Sequence, residues 1–306
     1  MTCTLVFSHL QVNIAFFQMN CFDHVQDYSK HYMEKRLIYD PNSAKEIVKI
    51  IQDHTENHKG PFIDADAGLC LIAREYHKLN QNVPVIVLQK DKILSPLTDK
   101  LLKNYPDICV KDHNIINYDY FTDETKGSSY EQNSLGIETA EYKNSWENPK
   151  PSYTLFATVT NAFCKGLTKQ CLDSWSKVME VDNVFDHSRP EFFFMVSGRT
   201  YTMLCGTLGP GNYRLRQTYN YLFKILFDCE CLGEYNENIY MPNGTGKKTK
   251  LYDMSKFYLL KVRPKLDIGI DHPDNFRPDL FLHFVETICS GKFMNFWLQK
   301  VNFIKN

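Results

Sequence analysis

Binding chemistry is indicated first by an acid and a glycine that follow the first apolar strand. The segment PFIDADAGLC ends its apolar run at Asp64 and has its glycine at Gly68. A glycine in a strand-to-helix turn lets the backbone approach a bound cofactor. One glycine does not satisfy the dinucleotide pattern GxGxxG, and no GK[ST] follows the strand, which excludes a P-loop.

A second polar group ends the next predicted strand. Gln89 follows the β-branched run VPVIVL, at the place where an acid commonly accepts a hydrogen bond from a ribose hydroxyl. Gln89 can still accept that bond, without charge. Asp91 lies two positions further on, and it could either substitute for Gln89 or cap the following helix.

Alternating strand and helix patterns must position these groups. The order from PFID through VPVIVL to ICVKDHN is βαβαβ, which predicts a doubly wound α/β fold with a parallel sheet. Two later apolar strands continue it, and an antiparallel hairpin ends it. We expect an N-terminal segment over 1–35, an α/β domain over 36–266 with a loop insertion at about 122–150, and a small helical extension over 267–306.

Composition excludes several classes of protein. The 306 residues are 43% hydrophobic with a net charge of -1, as in ordinary globular domains. No run of about 18 uncharged apolar residues is present, so we predict a soluble protein without a membrane span. The ten cysteines lack the spacing of zinc sites, and we predict no metal. Cys229 and Cys231 are the closest pair, either a soft-metal site or two packing thiols.

Positive charge is concentrated in the C-terminal third. Residues 195–306 hold fifteen Lys or Arg and ten Asp or Glu, and tyrosines are interleaved among the cations. This mixture suits phosphates and stacked bases, although a merely solvated face has a similar composition. The candidate nucleic-acid-binding residues are Arg199, Arg214, Arg216, Lys261, Arg263 and Lys265.

The order of segments resembles a known family. PFIDADAGLC, VIVLQKD, ICVKDHN, YTLFATVTN, FFFMVSGRTYTML and FYLLKVRPK follow one another as in the ribosomal RNA adenine N6-dimethyltransferases, above all in their mitochondrial branch. The resemblance runs from about Arg36 to the C-terminus. It implies a class I (Rossmann-like) methyltransferase sheet that ends in an antiparallel hairpin, and it implies S-adenosylmethionine as the cofactor.

Residue by residue, the resemblance implies a degraded site. Asp64 matches the acid of the first motif and Gly68 one of its glycines, while Gln89 and Asn114 stand where the family has acids. The catalytic motif Asn-Leu-Pro-aromatic is replaced by a stretch from Thr158 to Asn161. Methyl transfer depends mainly on positioning the target amine. These departures therefore predict that methyl transfer is reduced or lost.

Two functions follow from the resemblance. One group in the mitochondrial branch consists of transcription initiation factors that help mitochondrial RNA polymerase melt promoter DNA, and this is the function we expect. The alternative is an S-adenosylmethionine-dependent rRNA adenine N6,N6-dimethyltransferase of the mitochondrial small subunit. A third reading is a ribosome-assembly subunit that binds RNA without modifying it. The mitochondrial matrix is the implied location, although residues 1–22, which lack Asp and Glu, also lack the Arg typical of a presequence.

Overall fold

A computed structural model gives the fold of the chain. It describes residues 37–55, 60–65, 67–89, 94–112, 148, 150–176, 185, 189–206, 218–241, 255–266, 281, 283 and 285. Within these ranges, no helix is both long enough and apolar enough to cross a lipid bilayer.

Nine strands, six α-helices and one short 3-10 helix (Glu237–Ile239) make up the described elements. The helices are α1 (Pro41–His54), α2 (Leu71–Leu79), α3 (Ser95–Leu102), α4 (Asn161–Ser176), α5 (Gly198–Leu204) and α6 (Thr218–Leu226). The strands are β1 (Leu37–Ile38), β2 (Phe62–Asp64), β3 (Val85–Leu88), β4 (Ile108–Lys111), β5 (Thr154–Val159), β6 (Glu191–Ser197), β7 (Phe227–Asn236), β8 (Tyr240–Met241) and β9 (Lys256–Pro264).

Seven of the strands form one sheet in the order β4-β3-β2-β5-β6-β9-β7. Strands β2 to β6 are parallel, whereas β9 is antiparallel to both β6 and β7. This confirms the predicted doubly wound, Rossmann-like methyltransferase sheet with an antiparallel hairpin at its end. The sequence did not indicate that the hairpin's second strand, β9, would lie next to β6 and leave β7 at the edge.

Apolar side chains cover both faces of the sheet. On one face, α1 packs Ile47, Val48 and Ile51 against a core that includes Phe62 and Phe193. On the other face, residues of α4, α5 and α6 surround a core built on alternate residues of the same strands. Parallel strands covered on both faces are buried throughout, which explains the continuous apolar runs in the sequence.

Helix α1 begins where its sequence predicts. The Asp40 carboxylate accepts a hydrogen bond from the Ser43 backbone N–H at 2.8 Å, and Pro41 occupies the first turn. An acidic N-cap and a proline in the first turn both favour a helix start. β2 is the next element along the chain, and it ends at Asp64 at the carboxyl edge of the sheet.

The predicted domain limits remain predictions. The N-terminal segment 1–35 and nearly all of the loop insertion at 122–150 lie outside the described residues. In the predicted C-terminal extension, the structure describes Phe281, His283 and Val285 as helical. Val285 is buried, and Phe281 packs against the core beneath α4 and α6.

Candidate functional site

Asp64 is the last residue of β2, and its side chain is held in place by the first turn of α2. Its side chain is 1% exposed, and one carboxylate oxygen accepts a hydrogen bond from the Ala73 backbone N–H at 3.2 Å. Ala73 lies in the first turn of α2. A carboxylate at a helix N-terminus is stabilised by the N–H groups that lack partners within the helix.

The turn between β2 and α2 has a left-handed backbone at two positions. Gly68 has φ +48°, as its residue type allows, but Cys70 has φ 54° although it carries a Cβ. A side chain in this conformation costs about 1–2 kcal/mol, so neighbouring packing must hold Cys70 there. Cys70 is fully buried, and burial together with the Asp64 carboxylate raises the pKa of its thiol to about 12.

Strand β1 closes over this turn. A Cβ added to Gly68 would lie 2.8 Å from Leu37 Cδ2, so β1 packs directly against the glycine. β1 is held by antiparallel pairing with β8, in which Ile38 lies opposite Tyr240. Leu37 also packs against Leu94, which precedes α3. This short two-stranded sheet could not be predicted from the sequence, because two residues are too few for a recognisable strand pattern.

One cavity lies beneath β1 at the carboxyl edge of the sheet. It measures about 10 Å³, enough for roughly one water molecule. Its polar lining comes from Asp64 of β2 and Thr158 of β5, which are adjacent strands. The lining residues are Ile38, Asp64, Ala67, Leu71, Ile72, Phe156 and Thr158.

The structure therefore brings together only part of the predicted site. Asp64 and Thr158 share the cavity, whereas Gly68, Gln89 and Asn161 do not line it. Gln89 is buried after β3, and its backbone N–H donates to the Lys111 carbonyl at 3.0 Å.

Asn161 is the first residue of α4, three positions after Thr158 of the cavity lining. Asn114 lies outside the described residues. The roles predicted for Gln89, Asn161 and Asn114 stay predictions.

S-adenosylmethionine does not fit the described residues of this cavity. A space of this size holds about one water molecule, far less than the methionine part of the cofactor needs. Ile38, Leu71 and Phe156 line this space together with Asp64, and the pairing of β1 with β8 holds Ile38 in place.

The aromatic residue nearest to the degraded motif points into the core. Phe163 on α4 is 2% exposed, and its ring packs edge-on against Phe194 with centroids 5.6 Å apart. A base can stack only on a ring with an accessible face. Phe163 therefore stabilises the packing of α4 on the sheet and offers no stacking platform in this conformation.

The predicted basic residues lie at two opposite edges of the sheet. Arg199 is exposed on the first turn of α5, directly after the carboxyl end of β6. The end of β9 pairs with the start of β6, Val262 opposite Phe192, so Arg263 and Lys265 lie at the amino edge. Arg214 and Arg216 lie outside the described residues.

Lys261 is engaged in an ion pair with a buried acid. Its Nζ lies 2.9 Å from a carboxylate oxygen of Glu191, and it donates a hydrogen bond to the His54 carbonyl at 2.5 Å. Glu191 is 0% exposed, whereas the Lys261 side chain is 15% exposed. Much of the charge of Lys261 is therefore balanced within the protein.

Acidic residues of the edge strand also oppose the cations of β9. Asp228 lies opposite Arg263 and Glu230 opposite Lys261 in the β7–β9 ladder. Opposite charges on adjacent strands attract when their side chains share a face. This pairing lowers the positive potential of the β9 face, whereas Arg199 is the described residue of the predicted basic set at the carboxyl edge.

Comparisons with known proteins find distant structural likenesses only. No family model matches the chain, and no curated protein matches it in sequence. Among solved structures, the 23S rRNA methyltransferase ErmE is similar at 13% identity and TM-score 0.47, over 81% of this chain and 77% of that one. A dimethyladenosine transferase from Plasmodium falciparum gives 12% and 0.42, over 75% and 63%. The N-terminal domain of human METTL16 in complex with SAH gives 11% and 0.36, over 75% and 72%. These identities and TM-scores are too low to indicate a function.

Proposed function

We propose that the protein is a nucleic-acid-binding factor on a methyltransferase fold, that it has lost methyl transfer, and that it assists promoter melting by mitochondrial RNA polymerase. The observation that carries the proposal is that the described residues beside Asp64, where the resemblance places the cofactor, enclose a space of only about 10 Å³. A chain selected for methyl transfer needs that edge open, whereas a binding factor needs only the scaffold.

The closing of the cavity has a structural basis that goes beyond one side chain. Leu37 and Ile38 of β1 cover the β2–α2 turn, and pairing with β8 fixes their position. Gln89 gives the ribose position no negative charge. Apolar packing and lost charge both act against cofactor binding, and neither disturbs the sheet.

Binding of a polyanion is supported by the distribution of cations. The C-terminal third carries an excess of Lys and Arg, and Arg199 is exposed at the carboxyl edge. Contacts to phosphates contribute salt-dependent affinity, with a slope of about −0.7 in log K against log salt for each phosphate neutralised on a single strand. The proposal therefore predicts salt-sensitive binding to melted DNA.

The first test is fluorescence anisotropy with a single-stranded and a duplex promoter oligonucleotide over a range of salt. We expect tighter binding to the single strand, and Arg199→Ala should reduce the magnitude of its salt slope by about 0.7, the value of one phosphate contact. Lys265→Ala is the matched control, because this cation lies at the opposite edge and its Nζ donates to the Lys224 carbonyl at 2.9 Å.

The second test addresses the role in transcription. Purified protein and single-subunit mitochondrial RNA polymerase are combined on promoter DNA that carries 2-aminopurine near the start site. We expect the fluorescence of the unpaired base to rise only when both proteins are present. Binding to DNA without any rise would contradict the role in promoter melting and leave the binding function standing.

A specific observation also favours the alternative function. Asp64 and Thr158, from the cofactor and catalytic motifs of the resemblance, line the same cavity. An S-adenosylmethionine-dependent rRNA adenine N6,N6-dimethyltransferase would need both groups at one site. Transfer of a labelled methyl group from S-adenosylmethionine to small-subunit rRNA, abolished in Asp64→Asn, would establish this alternative in place of the first proposal.

A further inference from the structure

Two cysteines distant in sequence meet on the face of the sheet covered by α4, α5 and α6. The Sγ atoms of Cys205 and Cys229 lie 3.0 Å apart, although the residues are 24 positions apart in the chain. Both residues are partly exposed. An S–S bond is about 2.05 Å long, so each sulfur would need to move by only about half an ångström to form one.

Regular backbone structure fixes both members of the pair. Cys205 is the C-cap of α5, and its backbone N–H donates to the Tyr201 carbonyl at 2.8 Å. Cys229 lies in β7, opposite Val262 of β9. Both cysteines pack against the core on this face of the sheet. The contact is therefore set by a helix end and a strand register, two elements that hold their positions.

The surroundings make one of the two thiols acidic. A hydrogen bond with Cys229 lowers the pKa of Cys205, and the nearby Lys224 ammonium lowers it further. Burial acts in the opposite direction and raises the pKa. Lys224 is held nearby, because its Nζ donates to the Gly206 carbonyl at 2.6 Å. The same hydrogen bond, together with burial, raises the pKa of Cys229. Cys205 is thus the more acidic thiol of the pair.

Other described thiols near the pair are unsuited to this chemistry. Cys164 of α4 lies behind the pair, fully buried, and burial raises the pKa of its thiol. Cys231 is exposed two positions after Cys229, and burial of its sulfur together with the nearby Cys205 raises its pKa. The thiolate is the form that reacts with oxidants, so Cys205 is the reactive member of the group.

We propose that Cys205 and Cys229 form a reversible disulfide when the protein meets a peroxide. The Cys205 sulfur attacks one peroxide oxygen, the O–O bond breaks, and the departing hydroxide takes a proton and leaves as water. The sulfur is now a sulfenic acid. The Cys229 sulfur attacks it and loses its proton, the S–O bond breaks, and a second water leaves as the S–S bond forms. The two thiols lose two electrons, which the peroxide gains.

The disulfide would tie the end of α5 to the edge strand of the sheet. In the reduced protein, these elements are connected through α6 and the chain before it. A thiolate of an external dithiol reverses the reaction by attacking one sulfur of the bond, and its second thiol completes the exchange. The protein therefore acquires an oxidised and a reduced form that differ by one cross-link close to the helix that carries Arg199.

The test is peptide mapping of the folded, full-length protein after treatment with hydrogen peroxide. Remaining thiols are blocked during denaturation, and the protein is cut with trypsin. Cys205 lies in peptide 200–214, and Cys229 lies in peptide 225–247 together with Cys231. We expect these two peptides to be linked in the monomer, and we expect the link to disappear on reduction.

Matched variants identify the sulfur that pairs with Cys205. The link should persist in Cys231→Ser, which leaves Cys229 as the sole thiol of peptide 225–247. In Cys229→Ser, the link should be lost, and Cys205 should react with dimedone as a sulfenic acid. A wild-type protein that forms no link, or a link that Cys231→Ser abolishes, would overturn the proposal. If Cys229→Ser does not fold, the Cys231→Ser protein decides the question by itself.

Discussion

Replacing Lys261 by methionine should destabilise the fold more than replacing any exposed cation of β9. Lys261 lies 2.9 Å from Glu191, whose side chain is 0% exposed. Methionine keeps most of the aliphatic stem of lysine but removes the charge. The buried carboxylate then loses its neighbouring cation, and a broken buried pair costs about 3–5 kcal/mol. Because the Lys261 side chain is 15% exposed, water can replace part of the interaction, and we expect about 3 kcal/mol.

Urea denaturation of the wild type and variants measures this loss. Lys256→Met is the matched control, because Lys256 on the same strand pairs with Glu234 where both side chains are well exposed. Exposed pairs contribute about 0–1 kcal/mol. In the double variant Lys261→Met/Glu191→Gln, part of the lost free energy of unfolding should return, since no buried charge is left alone.

Equal losses in Lys261→Met and Lys256→Met would refute the reasoning that the buried pair stabilises the sheet. The Lys261–Glu191 pair also leads to a prediction about nucleic-acid binding. Because the Lys261 ammonium is engaged with Glu191, Lys261→Met should change the affinity for single-stranded DNA less than Arg199→Ala does. A larger effect of Lys261→Met, measured where both variants are folded, would mean that Lys261 contacts the nucleic acid directly.

Three further predictions concern the site and its surroundings. Gly68→Ala should lower the free energy of unfolding by about 1–2 kcal/mol, because alanine is strained at φ +48° and its Cβ approaches Leu37; urea denaturation checks it. Phe163→Ala should cost about 3–5 kcal/mol as a core cavity and leave the affinity for single-stranded DNA unchanged in anisotropy titrations. Cys70 should resist alkylation at pH 8, whereas the exposed Cys109 should react. The alkylation rate of Cys70 should rise as the pH approaches the pKa of its thiol, about 12, and mass spectrometry of the alkylated peptides measures both rates.

The sheet could be predicted from sequence because its pattern is local. Continuous β-branched and aromatic runs mark β3 and β6 as buried strands, and helical spacing of apolar residues marks α1. The position of Asp64 at the carboxyl edge follows from the same pattern. The order of β9 and β7 could not be predicted, because either strand of the hairpin can pair with β6. The choice depends on packing across the whole sheet.

Contacts between distant segments account for what the sequence missed. Lys261 looks like an exposed cation in sequence, but its partner Glu191 begins a strand 70 residues earlier. The closing of the cavity depends on β1, which only pairing with β8 defines. The contact of Cys205 with Cys229 likewise depends on the register of β7. None of these has a sequence spacing that indicates it.

Calorimetric titration with S-adenosylmethionine tests the central claim most directly. Cofactor binding must precede any methyl transfer, and the measurement needs no assumption about the nucleic acid. Because Ile38, Leu71 and Phe156 leave a cavity of only about 10 Å³ beside Asp64, we predict no saturable heat at millimolar cofactor. Saturable binding that Asp64→Asn removes, with the variant still folded, would contradict the account and establish a working cofactor site.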